Sequence, residues 1–84
     1  MERPPERETL YQEIDTELER AYLKHGREPW GRHEFYAILL EEVDELWEQI
    51  KQDASGELVL EEMIHVAAMV ARYNETRNRY GDGL

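Results

Sequence analysis

The sequence contains no cysteine, which excludes disulfides, thiolate metal sites and thiol catalysis. That absence suits a reducing compartment, and the expected location is cytoplasmic. Basic residues are scarce beside acidic ones, ten against twenty, giving a formal net charge of −10. A surface so negative argues against generic binding to nucleic-acid phosphates. Long hydrophobic runs are also missing. The most apolar stretch, Met63 to Ala71, is broken by His65 and is far too short to span a bilayer. The first apolar residues are scattered among Glu and Arg, so no secretory leader is expected. Proline is rare, at three residues, and no internal repeat or low-complexity segment is visible.

What remains is a globular, helix-leaning composition: 40% apolar and 36% charged over 84 residues. That length makes a single domain, residues 1–84, with a modest core when alone. Residues 1–8, with Pro4 and Pro5, read as a flexible charged lead-in. Thr9 and Gln12 fit a capping box. Leu10, Ile14, Leu18, Ala21 and Tyr22 then recur at helical spacing, predicting a helix over 9–25. Gly26, Pro29 and Gly31 punctuate a loop.

A second helix is predicted over 33–52, with Phe35, Tyr36, Leu39, Val43, Leu46, Trp47 and Ile50 in its apolar arc and Ile38 at one edge. A turn comes next, in which Asp53 or Ser55 is placed to cap a third helix, predicted over 57–78. This helix is apolar nearly all round, from Leu58 to Tyr73, so it needs cover on several sides. Two short partner helices supply too little. The expected architecture is therefore all-α, a three-helix chain assembling into an oligomeric bundle around the third helix, as a homodimer or a dimer of dimers. Residues 79–84 read as a flexible tail.

The informative polar residues are those that interrupt apolar faces. At about 100° per residue, Glu42 projects between Ile38 and Phe35, inside the apolar arc, and Glu45 lies at its margin. On the third helix Glu62 has Leu58, Val59 and Val66 as neighbours, with His65 at i+3 and Glu61 flanking His65. Carboxylates brought unpartnered to an apolar interface cost several kcal/mol each, so cations are expected between them. Side chains at i and i+3 lie roughly 5–6 Å apart, close enough to share a metal ion. The competing reading leaves these acids half-exposed at a bundle edge, or paired with Arg32, Arg72 or Arg77. Trp30 is a candidate base-stacking group or a plain core plug. Lys24, Arg27, Arg32 and Arg72 are candidate phosphate contacts or members of surface ion pairs.

The pattern Glu41-Glu42-Val-Asp-Glu45, succeeded after a short gap by Glu61-Glu62-Met-Ile-His65, resembles the paired motifs of the MazG-type, all-α nucleoside triphosphate pyrophosphohydrolases. His65 stands where that family usually has aspartate, and no counterpart of the family's further helix, with its Asn and Lys nucleotide contacts, is expected within these 84 residues. The resemblance spans about residues 10–78. It implies a metal-dependent hydrolase that cleaves a nucleoside or deoxynucleoside triphosphate to the monophosphate and pyrophosphate. Carried over by motif position, Glu42, Glu45, Glu62 and His65 would hold magnesium, while Glu41 and Glu61 would orient a ligand or an attacking water. Trp30, Arg72 and Lys24 are the candidate substrate contacts. Imidazole suits Mn or another transition metal better than Mg, which keeps two alternatives open. One is a carboxylate–histidine transition-metal site in a helical bundle. The other is a non-catalytic MazG-like binding or structural protein.

Overall fold

In the computed structural model of the chain, residues 3–80 are described, with side chains through 77. Three helices succeed one another, α1 (Pro5–His25), α2 (Arg32–Lys51) and α3 (Gly56–Tyr80), and no strand occurs among the described residues. No helix among them is long and apolar enough to cross a membrane.

Each boundary has a local cause. α1 starts four residues before the expected position because Pro5 occupies its first turn, where the missing amide costs nothing and the fixed φ suits a helix. Residues 5–8 are therefore helix rather than lead-in, and the Thr9 cap is not used. Thr9 lies inside α1 and donates its hydroxyl to the Pro5 carbonyl at 3.2 Å. α1 stops at Gly26, whose φ of 78° favours glycine and whose amide closes on the Tyr22 carbonyl at 2.8 Å. α2 ends with Asp53 at φ 54°. There the Asp53 amide reaches Ile50 and the Ala54 amide reaches Gln49, both at 3.1 Å, the paired bonds of a Schellman end. Of the two expected caps it is Ser55 that serves α3, its Oγ accepting from the Leu58 amide at 3.3 Å. α3 runs to Tyr80, past the expected end at 78. Of the expected tail, 79 and 80 are helical, and 81–84 lie outside the described residues.

α3 is the central element. α1 and α2 each pack on it and do not pack on each other. The core is small: Leu18, Ala21 and Tyr22 of α1 and Ile64, Ala68 and Met69 of α3 are buried, and Leu18, Tyr22 and Ala68 pack as one cluster with Ala71 against it. α2 joins through half-buried Phe35, Ile38, Leu39 and Leu46, and Phe35 lies against Tyr73 with ring centroids 4.9 Å apart. The expected apolar arc of α2 therefore splits. Tyr36, Val43, Trp47 and Ile50, with Leu40, stay exposed, and α2 has no buried residue. The radius of gyration is 14.0 Å, against about 12 Å for a compact chain of this length. A single chain leaves its second helix only half covered.

Candidate metal centre

α1 and α2 flank α3 without packing closely on each other, and a cavity of about 250 Å³ lies between them over α3. Glu42 and Glu45 of α2 and His65 of α3 line it, and Glu62, one turn before His65 on α3, lies against the imidazole. One ligand atom from each of the four lies within 4.8 Å of all the others. The four residues singled out as interruptions of apolar faces thus come together. The imidazole sits among the acids: His65 Nδ1 is 3.2 Å from Glu62 Oε2 and 3.7 Å from Glu42 Oε2.

The electrostatics are strained in one direction. Burial raises the Glu42 carboxyl above its ordinary value, and the negative charge of Glu45 adds to this. The His65 side chain opposes the rise, while a hydrogen bond with Glu45 and the charge of Glu62 reinforce it. Glu42 Oε2 is shut off from solvent and has no hydrogen-bond partner. An orphaned, buried carboxylate oxygen is costly, and a cation would satisfy it. Three carboxylates and an imidazole offer hard oxygen donors for Mg or Mn and one nitrogen for a transition metal. The donor set fits a divalent cation.

Glu17 on α1 also belongs to this centre, although the motif spacing does not single it out. Its Oε1 is 3.6 Å from His65 Nε2, so three helices place acids around the ring. Arg20 fixes Glu17 through Nε at 3.0 Å and Nη2 at 2.8 Å, both on Oε2. A signal for it is present in the sequence. Glu17 lies three residues after Ile14 and four before Ala21, on the apolar stripe of α1. The criterion that selects Glu42 on α2 selects it too.

From Glu17 the cavity runs towards Lys24, seven residues or about 10 Å along α1. Lys24, His25 and Trp30 line that end. Two of the three expected substrate contacts, Lys24 and Trp30, therefore border the same cavity as the acids. The third does not. Arg72 is 1% exposed, donates from Nη2 to the Glu28 carbonyl at 3.1 Å, and stacks with its guanidinium carbon 3.7 Å from the Trp30 ring centroid. It holds the 26–31 loop onto α3 and backs Trp30 from inside. Glu41 and Glu61 are exposed. Glu61 borders a second hollow, between α1 and α3, which shares Glu17 and His65 with the first cavity. No protein-family model, curated protein or solved structure matches this chain.

Proposed function

We propose that this chain is a metal-dependent nucleoside triphosphate pyrophosphohydrolase of the MazG-like kind, active as a homo-oligomer. The convergence of Glu42, Glu45, Glu62 and His65 beside a cavity with Lys24 and Trp30 at its other end carries this reading. In the reaction water attacks the α-phosphorus, the bond to the bridging oxygen breaks, and monophosphate and pyrophosphate leave. A bound divalent cation would neutralise phosphate charge and acidify a water.

The chain's own groups divide the remaining work. The four candidate ligands come from α2 and α3, which pack directly on each other. Lys24 offers a cation for phosphate oxygens, and Trp30, which also lines the cavity, offers an aromatic ring for a nucleobase. Arg72 behind Trp30 keeps that ring in place. Glu41 and Glu61, expected as outer members of the motifs, retain that role only if substrate or a second chain brings the exposed faces of α2 and α3 into the site.

The test is pyrophosphate release from a panel of ribo- and deoxyribonucleoside triphosphates with Mg or Mn. Wild type should release it, and Glu42→Gln and Glu62→Gln should not. No release from any triphosphate would leave the second reading, a carboxylate–histidine transition-metal site. That reading is favoured by an imidazole set among three carboxylates, and metal analysis of the purified protein would identify it.

A further inference from the structure

We propose that Arg72 is the positioning residue of an aromatic subsite, fixing the Trp30 ring in the cavity wall and so setting affinity for the base of a nucleotide but not for its phosphates. Trp30 sits in the 26–31 loop, which opens on Gly26 and closes on Gly31, neither of them close-packed. One side chain of α3 holds that loop at two points. Arg72 Nη2 donates to the Glu28 carbonyl at 3.1 Å, and the guanidinium carbon lies 3.7 Å from the Trp30 ring centroid. Trp30 lines the cavity and Arg72 does not; the two meet in a small hollow alongside it. Arg72 therefore acts on the cavity through the indole.

The surroundings of Arg72 suit stacking. It is 1% exposed, and its Nη1 is buried without a hydrogen-bond partner. Its second ring contact is Tyr22, with the centroid 5.1 Å from the guanidinium carbon. Attraction between a cation and an aromatic ring is strongest where the cation is desolvated, and a planar guanidinium stacks as a compact ammonium does not. Tyr22 is itself fixed. It is buried on α1, its hydroxyl donates to Glu75 Oε2 at 2.9 Å, and the Arg27 guanidinium lies 4.4 Å from its ring centroid. Placement passes from the α1–α3 core through Tyr22 and Arg72 to Trp30. A ring held in advance loses little freedom when a base stacks on it. This inference rests on the nucleotide reading above and adds the residue that separates recognition of the base from recognition of the phosphates.

The test compares a nucleoside monophosphate with inorganic tripolyphosphate, which has no ring to stack, by calorimetry in the presence of Mn. Removing a stacked ring in Trp30→Ala should weaken mononucleotide binding on the order of 5–100-fold. Arg72→Lys, which keeps the charge, and Arg72→Met, which keeps the bulk, should each cause much of that loss and leave tripolyphosphate binding unchanged. In the Trp30→Ala background Arg72→Lys should add little, because its route to the ligand is gone. A second readout needs neither ligand nor metal. With Trp47→Phe leaving Trp30 as the one tryptophan, acrylamide should quench it more strongly in both Arg72 variants. Equal weakening of both ligands, an Arg72→Lys effect that persists without Trp30, or unchanged quenching would overturn the proposal. So would mononucleotide binding unaltered by the Arg72 variants or absent from wild type, or loss of the fold in both variants, which would make Arg72 a core support. Failure of the hydrolase reading is distinct: wild type would bind the mononucleotide yet release no pyrophosphate from any triphosphate.

Discussion

Burial, and then the charge of Glu45, raises the Glu42 carboxyl above its ordinary value in the metal-free protein, and its Oε2 has neither solvent contact nor a hydrogen bond. With a folded-state value above the unfolded one, the folded chain takes up the proton first as pH falls. Glu42 therefore lowers stability above its raised pKa. That penalty is relieved as pH falls through the raised value and is gone below the ordinary carboxylate range. Glu42→Gln should stabilise the metal-free protein at neutral pH and flatten this part of its pH profile, as urea unfolding at several pH values would show. An unchanged profile would mean that Glu42 is better solvated than its surroundings indicate. A second residue-scale effect lies at Asp53, whose φ of 54° is costly for a side chain with a Cβ. Asp53→Gly should raise stability by about 0.5–1 kcal/mol after the entropy of the unfolded chain is counted, measurable as a higher denaturation midpoint. At this scale the sequence is legible wherever a charge interrupts an apolar stripe, as at Glu42, Glu62 and His65. Glu17 is legible by the same rule but easily lost among so many acids. The burial of Arg72 is not legible, because it depends on a loop carbonyl and a tryptophan brought back over α3.

At the scale of elements, α2 is the unfinished piece. Tyr36, Leu40, Val43, Trp47 and Ile50 succeed one another at steps of four, three, four and three residues, and all are exposed. That is the spacing of a coiled-coil seam. On α3, Leu60, Met63 and Val70 are exposed as well. Ile38 and Glu45 turn to the cavity beneath α1, so at about 100° per residue Val43 and Trp47 point to the other side of the α2–α3 pair. A second copy presenting the same pair would give a four-helix bundle with the metal centres away from the seam. The sequence indicates an apolar excess and places it on α3, which is apolar nearly all round. The fold instead spends much of that surface on α1 and α2 and moves the open seam largely onto α2. Helical periodicity gives an arc for each helix but not which part of the arc a neighbour takes. Leu40→Glu with Val43→Glu should convert a dimer to a monomer in light scattering at micromolar concentration. A wild-type protein that is already monomeric there would refute the seam.

At the scale of the whole molecule, three helices and their turns are predictable from period and punctuation, and the start of α1 is missed because Pro4, Pro5 and charge read as loop. The cavity is not predictable, since it lies between α1 and α2, which pack on α3 and not closely on each other. Its position joins the scales. Glu17, Glu42, Glu45 and His65 line one part and Lys24 and Trp30 another, and the gathering of Glu42, Glu45, Glu62 and His65 within 4.8 Å is what a cation would exploit. The most direct test is calorimetric titration of the metal-free protein with Mn and with Mg, using wild type, Glu42→Gln and, as a control on the exposed face of α2, Glu48→Gln. Wild type and Glu48→Gln should bind a divalent cation with matching affinity, Mn more tightly than Mg because of the imidazole, and Glu42→Gln should lose binding. Absence of heat from both ions in wild type, with and without nucleotide, or equal binding by Glu42→Gln, would contradict the metal centre on which the account depends.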